Sequence, residues 1–379
     1  MRILIAGGGA AAVEAALYAR KHAPHSSITI FSAESIRPYR RPLLPELLNK
    51  DLPDERLYIN NMDFYTQNAI ELVLNTQAIK VDPAANELYL SNGRVEKFDR
   101  LLLAIGSRAV HLPLAGGADL LKTIHDYQDM IKLKQELPDC RNVLIAGGGV
   151  LGLELADQLL KQGIQVTIAE RQKMLFSSFM NEASQQFLLK ELHQVENLTL
   201  LRSCQLQKLQ RLDESSIMCY LKSPVIRQLK THLTISAVGT IANHVQWPEN
   251  YNISQLATNK YLQVKPFKNI YAAGDCAYIN GELSGFYRQA RSQGAIAGAN
   301  LAGAQTEYLP AIPQMRTSFM NIKLYYAGNT TRADLQCRQA VSKHSMQQLY
   351  YTPQGKLEGC ILINDLTEAD NYYRIICEK

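Results

Sequence analysis

Two glycine turns carry the most legible chemistry of the chain. Gly7-x-Gly9-x-x-Ala12 and Gly147-x-Gly149-x-x-Gly152 each sit between a short apolar run and a segment of helical periodicity. That spacing suits a dinucleotide. The first glycine permits the tight turn, the second lets a pyrophosphate approach the backbone, and the third small residue lets helix and strand pack closely. The pyrophosphate then rests on free N–H groups at the positive end of the helix, which brings in Ala10 of the first copy and Val150 and Leu151 of the second. One such motif is weak evidence, whereas two copies in matched context, 140 residues apart, are a duplication of domain size.

Each cradle needs an acid at the end of its second strand to hold ribose hydroxyls, about 20 residues on. Glu34 lies 27 residues after Gly7, and Glu170 lies 23 after Gly147. A carboxylate at 170 repels a 2′-phosphate, which favours NADH over NADPH. Arg171 and Lys173 follow at once, and a basic side chain there is able to accept that phosphate. Glu34 also reads as a solvated loop acid.

The elements that hold these residues follow from periodicity. Arg2 to Ala6 reads as a buried strand, Ala10 to His22 as an alanine-rich helix, and Ser27 to Ser32 as the next strand. The second copy repeats the pattern with a strand from Asn142 to Ala146 and a helix from Val150 to Gln162, capped by Gly163. Gln165 to Ala169 is its next strand. Further short strands are expected at Arg100 to Ile105, Thr234 to Val238 and Asn269 to Ala273, with a helix at about Phe286 to Leu301. Past Pro310 and Pro313 the texture changes. Strands at Ile322 to Tyr326, Gln347 to Tyr351 and Leu357 to Ile363, then a helix from Asp365 to Ile376, read as a small α+β tail.

Bulk properties narrow the function. The chain has 379 residues, 46% hydrophobic and 20% charged, which is ordinary globular composition and points to two or three domains. A net charge of +5 without a Lys/Arg cluster gives no footprint for nucleic acid. It is compatible with an acidic protein partner. Seven cysteines, with no CxxC among them, write neither a zinc knuckle nor a local redox dithiol, and they fit a reducing cytoplasmic setting. The apolar N-terminus is interrupted by three glycines, Glu14 and Arg20, so it reads as a core strand and not a signal peptide. No run of about 18 apolar residues is present to span a membrane.

Five elements in order then carry a family resemblance: Gly7-Gly8-Gly9, Leu103-Ala104-Ile105-Gly106-Ser107, Gly147 to Glu154, Ala237-Val238-Gly239 and Tyr271-Ala272-Ala273-Gly274-Asp275. Together they resemble the two-dinucleotide-binding-domain flavoproteins of the pyridine nucleotide-disulfide oxidoreductase superfamily, strongly over residues 1–305 and weakly in the tail. Tyr39-Arg40-Arg41-Pro42-Leu43-Leu44 stands where the disulfide reductases carry paired cysteines. It is similar instead to a stretch of the NADH-dependent ferredoxin and rubredoxin reductases. The chain departs from the ferredoxin reductases at Pro45-Glu46, where those proteins have Ser-Lys. Ile270 to Asn280 and the tail around Leu324 to Asp334 look closest to the NADH-dependent rubredoxin reductases, the flavorubredoxin reductases included.

The resemblance implies an α/β fold of two Rossmann-like domains plus a small C-terminal α+β domain. A discontinuous FAD domain would cover 1–109 and 237–306, an inserted NAD(P)H domain 110–236, and the tail 307–379. It further implies that Gly7, Gly9, Ala10, Ala12, Glu34, Arg41, Ala104, Gly106, Gly274 and Asp275 bind FAD, with Asp275 on the ribitol. Gly147, Gly149, Val150, Leu151, Gly152, Glu170 and Gly239 would serve the nicotinamide nucleotide. Arg41 and Pro42 would lie against the flavin, and Glu154 would face the gap between flavin and nicotinamide. The helix beginning near Phe286 would aim its positive end at the flavin. Cys276 reads as a packed thiol. The implied activity is NADH-dependent reduction, through FAD, of a small acidic redox protein such as rubredoxin, by a monomer or weak dimer. Two alternatives stay open: an NADH oxidase or quinone-type reductase without a protein acceptor, and a redox-gated NADH-binding interaction module.

Overall fold

The computed structural model describes residues 1–283 and 285–378. Its contacts divide the chain into two compact units. Met1–Leu43, Leu52–Arg108 and Thr240–Pro310 form the first; Leu44–Asp51, Ala109–Gly239 and the chain from Ala311 onward form the second.

The chain opens with β1 (Arg2–Ala6), in which Ile3, Leu4, Ile5 and Ala6 are all fully buried. A strand apolar at consecutive positions needs cover on both faces, as in a parallel α/β sheet. The glycine turn leads into α1 (Ala10–His22), and then come β2 (Ser27–Phe31), β3 (Ile70–Val73) and β4 (Arg100–Leu103). The second unit supplies β5 (Leu121–Thr123), β6 (Asn142–Ala146), α2 (Val150–Leu160), β7 (Gln165–Glu170), α3 (Glu182–Leu192), β8 (Leu198–Arg202) and β9 (Leu233–Ser236). The first unit resumes with β10 (Ile270–Ala272) and α4 (Tyr287–Leu301). The tail contributes β11 (Gln314–Phe319), β12 (Ile322–Gly328), β13 (Gln336–Val341), β14 (Met346–Tyr351), β15 (Leu357–Ile363) and α5 (Ala369–Cys377).

In the first unit the sheet runs β10-β4-β1-β2-β3, all parallel. In the second it runs β8-β7-β6-β9-β5, again all parallel. Both place the strand before the glycine turn at the centre, and ligands of such sheets bind beyond the carboxyl ends of the strands. Each unit also carries a small antiparallel sheet, at 78–97 and 205–231, that the sequence reading did not anticipate.

The alanine and glycine content of α1 and α4 has a packing reason. A Cβ at Gly294 would lie 2.3 Å from the Ala11 carbonyl oxygen, and one at Gly298 would lie 2.2 Å from that of Ala15. The two helices therefore meet backbone to backbone.

The tail forms its own five-stranded antiparallel sheet, β11-β12-β15-β14-β13, with α5 packed on β15 and β12. Side chains tie that sheet to the nucleotide fold of the same unit. Phe179 stacks on Tyr326 with ring centres 4.4 Å apart, and Asn181, which caps α3, donates to the Tyr350 hydroxyl at 3.0 Å. These contacts keep residues 311 onward in one compact body with 109–239. The ends of some expected elements shift: Arg100 to Ile105 becomes Arg100–Leu103, Ile322 to Tyr326 extends to Ile322–Gly328, and the closing helix starts four residues later, at Ala369. Residues 365–367 form a turn instead, where the Asp365 carboxylate accepts from the Thr367 N–H and hydroxyl.

Candidate nucleotide-binding sites

The two glycine turns are the same structure down to individual hydrogen bonds. The Gly7 N–H donates to the Phe31 carbonyl at 2.8 Å, and the Gly147 N–H donates to that of Ala169 at 2.9 Å. The Ala104 N–H reaches the Ala6 carbonyl at 2.8 Å, and the Ala237 N–H reaches that of Ala146 at 2.7 Å. Gly7 and Gly147 have φ of +119° and +109°, and a Cβ there would lie 2.0 Å from the Ala104 oxygen and 2.4 Å from the Ala237 oxygen. No side chain fits, so the first glycine of each motif is a structural necessity.

The second glycine is different. Gly9 and Gly149 are the N-caps of α1 and α2, with ordinary extended backbone and no side-chain cap. A Cβ at either would meet nothing within 4 Å. Open space therefore stands in front of two helix amino ends whose first-turn N–H groups have no intrahelical acceptor, and a diphosphate fits there. The third position separates the copies. Ala12 is fully buried, whereas a Cβ at Gly152 would sit 2.1 Å from the Gly147 oxygen, so only the second copy demands glycine.

In the first unit the predicted residues converge. The Glu34 carboxylate accepts from the Tyr39 hydroxyl at 2.7 Å and pairs with the Arg41 guanidinium. Arg41 also bears on Asp275, partly offsetting the burial that raises that carboxyl above its ordinary 3.8. The Ser107 hydroxyl donates to Asp275 Oδ2 at 3.2 Å. Gly106 and Gly274 take positive φ, and the buried Gln293 side chain of α4 accepts from the Gly274 N–H at 2.7 Å, fixing the loop that presents Asp275. Arg41 and Pro42 are the first two residues of a 3-10 helix, Arg41–Leu48, that no sequence pattern marks. Cys276 is fully buried; its thiol lies 3.3 Å from the Leu103 carbonyl oxygen, and burial pushes it up to about 12.

In the second unit Glu170 ends β7 and folds back over its turn. Its Oε2 accepts from the Gly148 N–H at 2.8 Å and its Oε1 from the Gln172 N–H at 2.7 Å. That places a fixed carboxylate beside the cradle of Val150 and Leu151, where a ribose would sit. Arg171 and Lys173 are exposed. Gly239 takes φ of +109° after β9. Glu154, half-buried on α2, accepts from the Thr317 hydroxyl at 2.6 Å. Burial raises its carboxyl above the ordinary range, and the Asp157 and Glu46 carboxylates add to that.

The sequence reading assigned no role to Tyr39, Ser107, Gln293 or Thr317. Tyr39 and Ser107 lie inside the quoted motifs. Gln293 and Thr317 act across the fold and leave no local signal.

Residues 1–305 match the family described as pyridine nucleotide-disulphide oxidoreductase. The chain belongs to that family. It is thus an FAD-containing, NAD(H)-dependent oxidoreductase. Among similar proteins, a nitric oxide reductase FlRd-NAD(+) reductase of Salmonella gallinarum is 28% identical over 370 residues, covering 96% of this chain and 95% of the relative. An NADH-rubredoxin oxidoreductase of Clostridium acetobutylicum is 26% identical over 333 residues, covering 86% and 82%. The crystal structure of NADH:rubredoxin oxidoreductase from that organism superposes with a TM-score of 0.80 at 24% identity, covering 99% of this chain and 94% of the other. A NAD-dependent persulfide reductase from A. fulgidus gives 0.87 at 17% identity, covering 99% and 76%.

Unlike what the family's name implies, this member has no disulfide among the described residues: all seven cysteines are free, and five are buried. Among the described residues no group of His, Cys, Asp and Glu could hold a metal, and no helix is long and apolar enough to cross a membrane.

Proposed function

We propose that this oxidoreductase carries electrons from NADH, held on the α2 cradle, through FAD, held on the α1 cradle, to a small one-electron carrier protein of the rubredoxin type. The observation that supports it is the pair of open helix amino ends, with Glu170 at the end of β7 and Glu34 three residues past the end of β2. The names of the relatives, matched over 82–95% of their lengths, support the class of acceptor. FAD when bound supplies the exchange between two-electron and one-electron chemistry.

The chain's own residues do the rest. The N–H groups at Ala10 and at Val150 and Leu151 hold the two diphosphates. Glu34, fixed by Tyr39 and Arg41, receives the adenosine ribose of FAD, and Asp275, fixed by Ser107, receives the ribitol. Ala104, Gly106 and Gly274 shape the floor of that site. Glu170 holds the ribose of NADH, and its charge disfavours the 2′-phosphate of NADPH. Glu154 faces the nicotinamide, Arg41 and Pro42 lie against the flavin, and Gly239 serves the nicotinamide nucleotide. In this reading the acceptor is acidic, the protein is a monomer or weak dimer, and its setting is cytoplasmic.

An acceptor screen tests the proposal. Protein loaded with FAD and supplied with NADH should reduce a rubredoxin far faster than oxygen or a quinone. Equal or faster turnover with oxygen would overturn the carrier assignment and leave an oxidase.

A further inference from the structure

The tail sheet reaches the nucleotide-bearing helix at two points. Thr317 of β11 donates its hydroxyl to Glu154 Oε1 at 2.6 Å, and the Met320 N–H donates to Asp157 Oδ1 at 2.9 Å. Glu154 and Asp157 are three residues apart and share one face of α2. Thr317 and Met320 are three apart on the hairpin that turns at Met320 and Asn321, both at positive φ. Spacing thus matches on the two partners. Thr317 and Asp157 are each 7% exposed, so one partner of each bond is buried while Glu154 and Met320 are half-buried. Lys161 at 2.6 Å and Gln158 at 3.1 Å take up Asp157 Oδ2, whereas Glu154 Oε2 has no hydrogen bond among the described residues. One oxygen of Glu154 is fixed by the tail, and the other remains an acceptor for an N–H group.

We propose that Thr317 is a positioning residue for NADH: its hydroxyl orients the Glu154 carboxylate so that the second oxygen accepts from the carboxamide N–H of the nicotinamide. This rests on the reading that Glu154 faces the nicotinamide. The tail is then part of the nucleotide site and more than an appendage to it. A second effect follows from charge. The carboxyl groups of Asp157, on the same helix, and Glu46, from the 3-10 helix, both disfavour ionisation of Glu154, as does burial. Asp157 is countered by Lys161 and Glu46 by Lys50. Thr317 is the group that opposes these influences on Glu154 directly, by donating to its ionised form.

The test uses the FAD-loaded enzyme with ferricyanide as acceptor, which makes it independent of the natural carrier. KM for NADH and kcat are measured against pH for wild type, Thr317→Val, Thr317→Ser and Glu154→Gln. Thr317→Val should raise KM for NADH about tenfold, the value of one hydrogen bond to a charged group. It should also move the acid limb of kcat/KM to higher pH, because Glu154 then holds its proton longer. Thr317→Ser should restore both, and Glu154→Gln should raise KM and abolish the limb. Thr317→Ala substitutes for the valine variant if that one folds poorly, with thermal melting run on each. If Glu154→Gln alters NADH kinetics while Thr317→Val and Thr317→Ala match wild type in KM and limb, the positioning role is overturned and the reading of Glu154 survives. If Glu154→Gln itself leaves KM unchanged, the placement of Glu154 falls and the proposal falls with it.

Discussion

Replacing Gly149 with alanine separates binding from folding. The backbone there is extended, with φ −74° and ψ −174°, which alanine adopts without strain. The added Cβ would meet nothing within 4 Å. Folding stability should therefore stay level or rise by about 0.4–1 kcal/mol, as for glycine replaced at a compatible site. The same methyl, about 1.5 Å off the Cα, stands where the NADH diphosphate must approach. Losing one hydrogen bond to that charged group removes about 1.5–3 kcal/mol, so Kd for NADH should rise about 10- to 150-fold. FAD content should not change, because its cradle is Gly7 to Ala12. Gly152→Ala is the internal control. Its Cβ would sit 2.1 Å from the Gly147 oxygen, and such overpacking costs about 1–3 kcal/mol, so stability and NADH affinity should fall together. Thermal melting and anaerobic equilibrium titration with NADH read both variants. Unchanged NADH affinity in Gly149→Ala, or loss of FAD in its place, would refute the assignment of the second cradle.

Other outcomes follow from the same geometry. Glu170→Ala removes the carboxylate held by the Gly148 and Gln172 N–H groups, and should raise KM for NADH about 10- to 100-fold with a smaller effect on NADPH; equal effects would displace Glu170 from the ribose. Asp275 has its carboxyl raised above 3.8 by burial, so the stability linked to its protonated form is present below 3.8 and is lost as pH rises through the folded value. FAD-free Asp275→Asn should accordingly melt higher than FAD-free wild type at neutral pH, the gap closing in acid, while binding FAD less tightly; a gap that persists at low pH would contradict this. Native alkylation at neutral pH should mark Cys337 and Cys377 and spare the five buried thiols, where burial holds Cys276 at about 12 and Cys219 at about 11. NADH oxidation should survive that treatment, and inactivation by it would reveal a thiol in the reaction.

Legibility in the sequence followed locality. Both cradles were readable because the chemistry of each is written within six residues and enforced by steric exclusion at Gly7, Gly147 and Gly152. The apolar parallel strands β1 and β6 were readable for the same local reason. Strand β13 was not. Its six residues, Gln336 to Val341, are all exposed, so no apolar alternation marks them. The sheets at 78–97 and 205–231 do alternate buried and more exposed positions, as in Ile217–Lys222 and Glu87–Leu90, but over strands of only three to seven residues, too short for the periodicity to stand out. Glu34, Arg41 and Asp275 were each named from the sequence, but their convergence with Tyr39 and Ser107 is a property of the fold. The contact of Thr317 with Glu154 spans 163 residues and could not be read from either end.

The central claim is that two helix amino ends hold two different dinucleotides. A crystal structure of the protein with FAD and NAD⁺ tests it most directly. The account predicts the FAD diphosphate at the amino end of α1 beside Gly9, and the NAD⁺ diphosphate at that of α2 beside Gly149. Either cradle empty, or the two nucleotides exchanged, would contradict it.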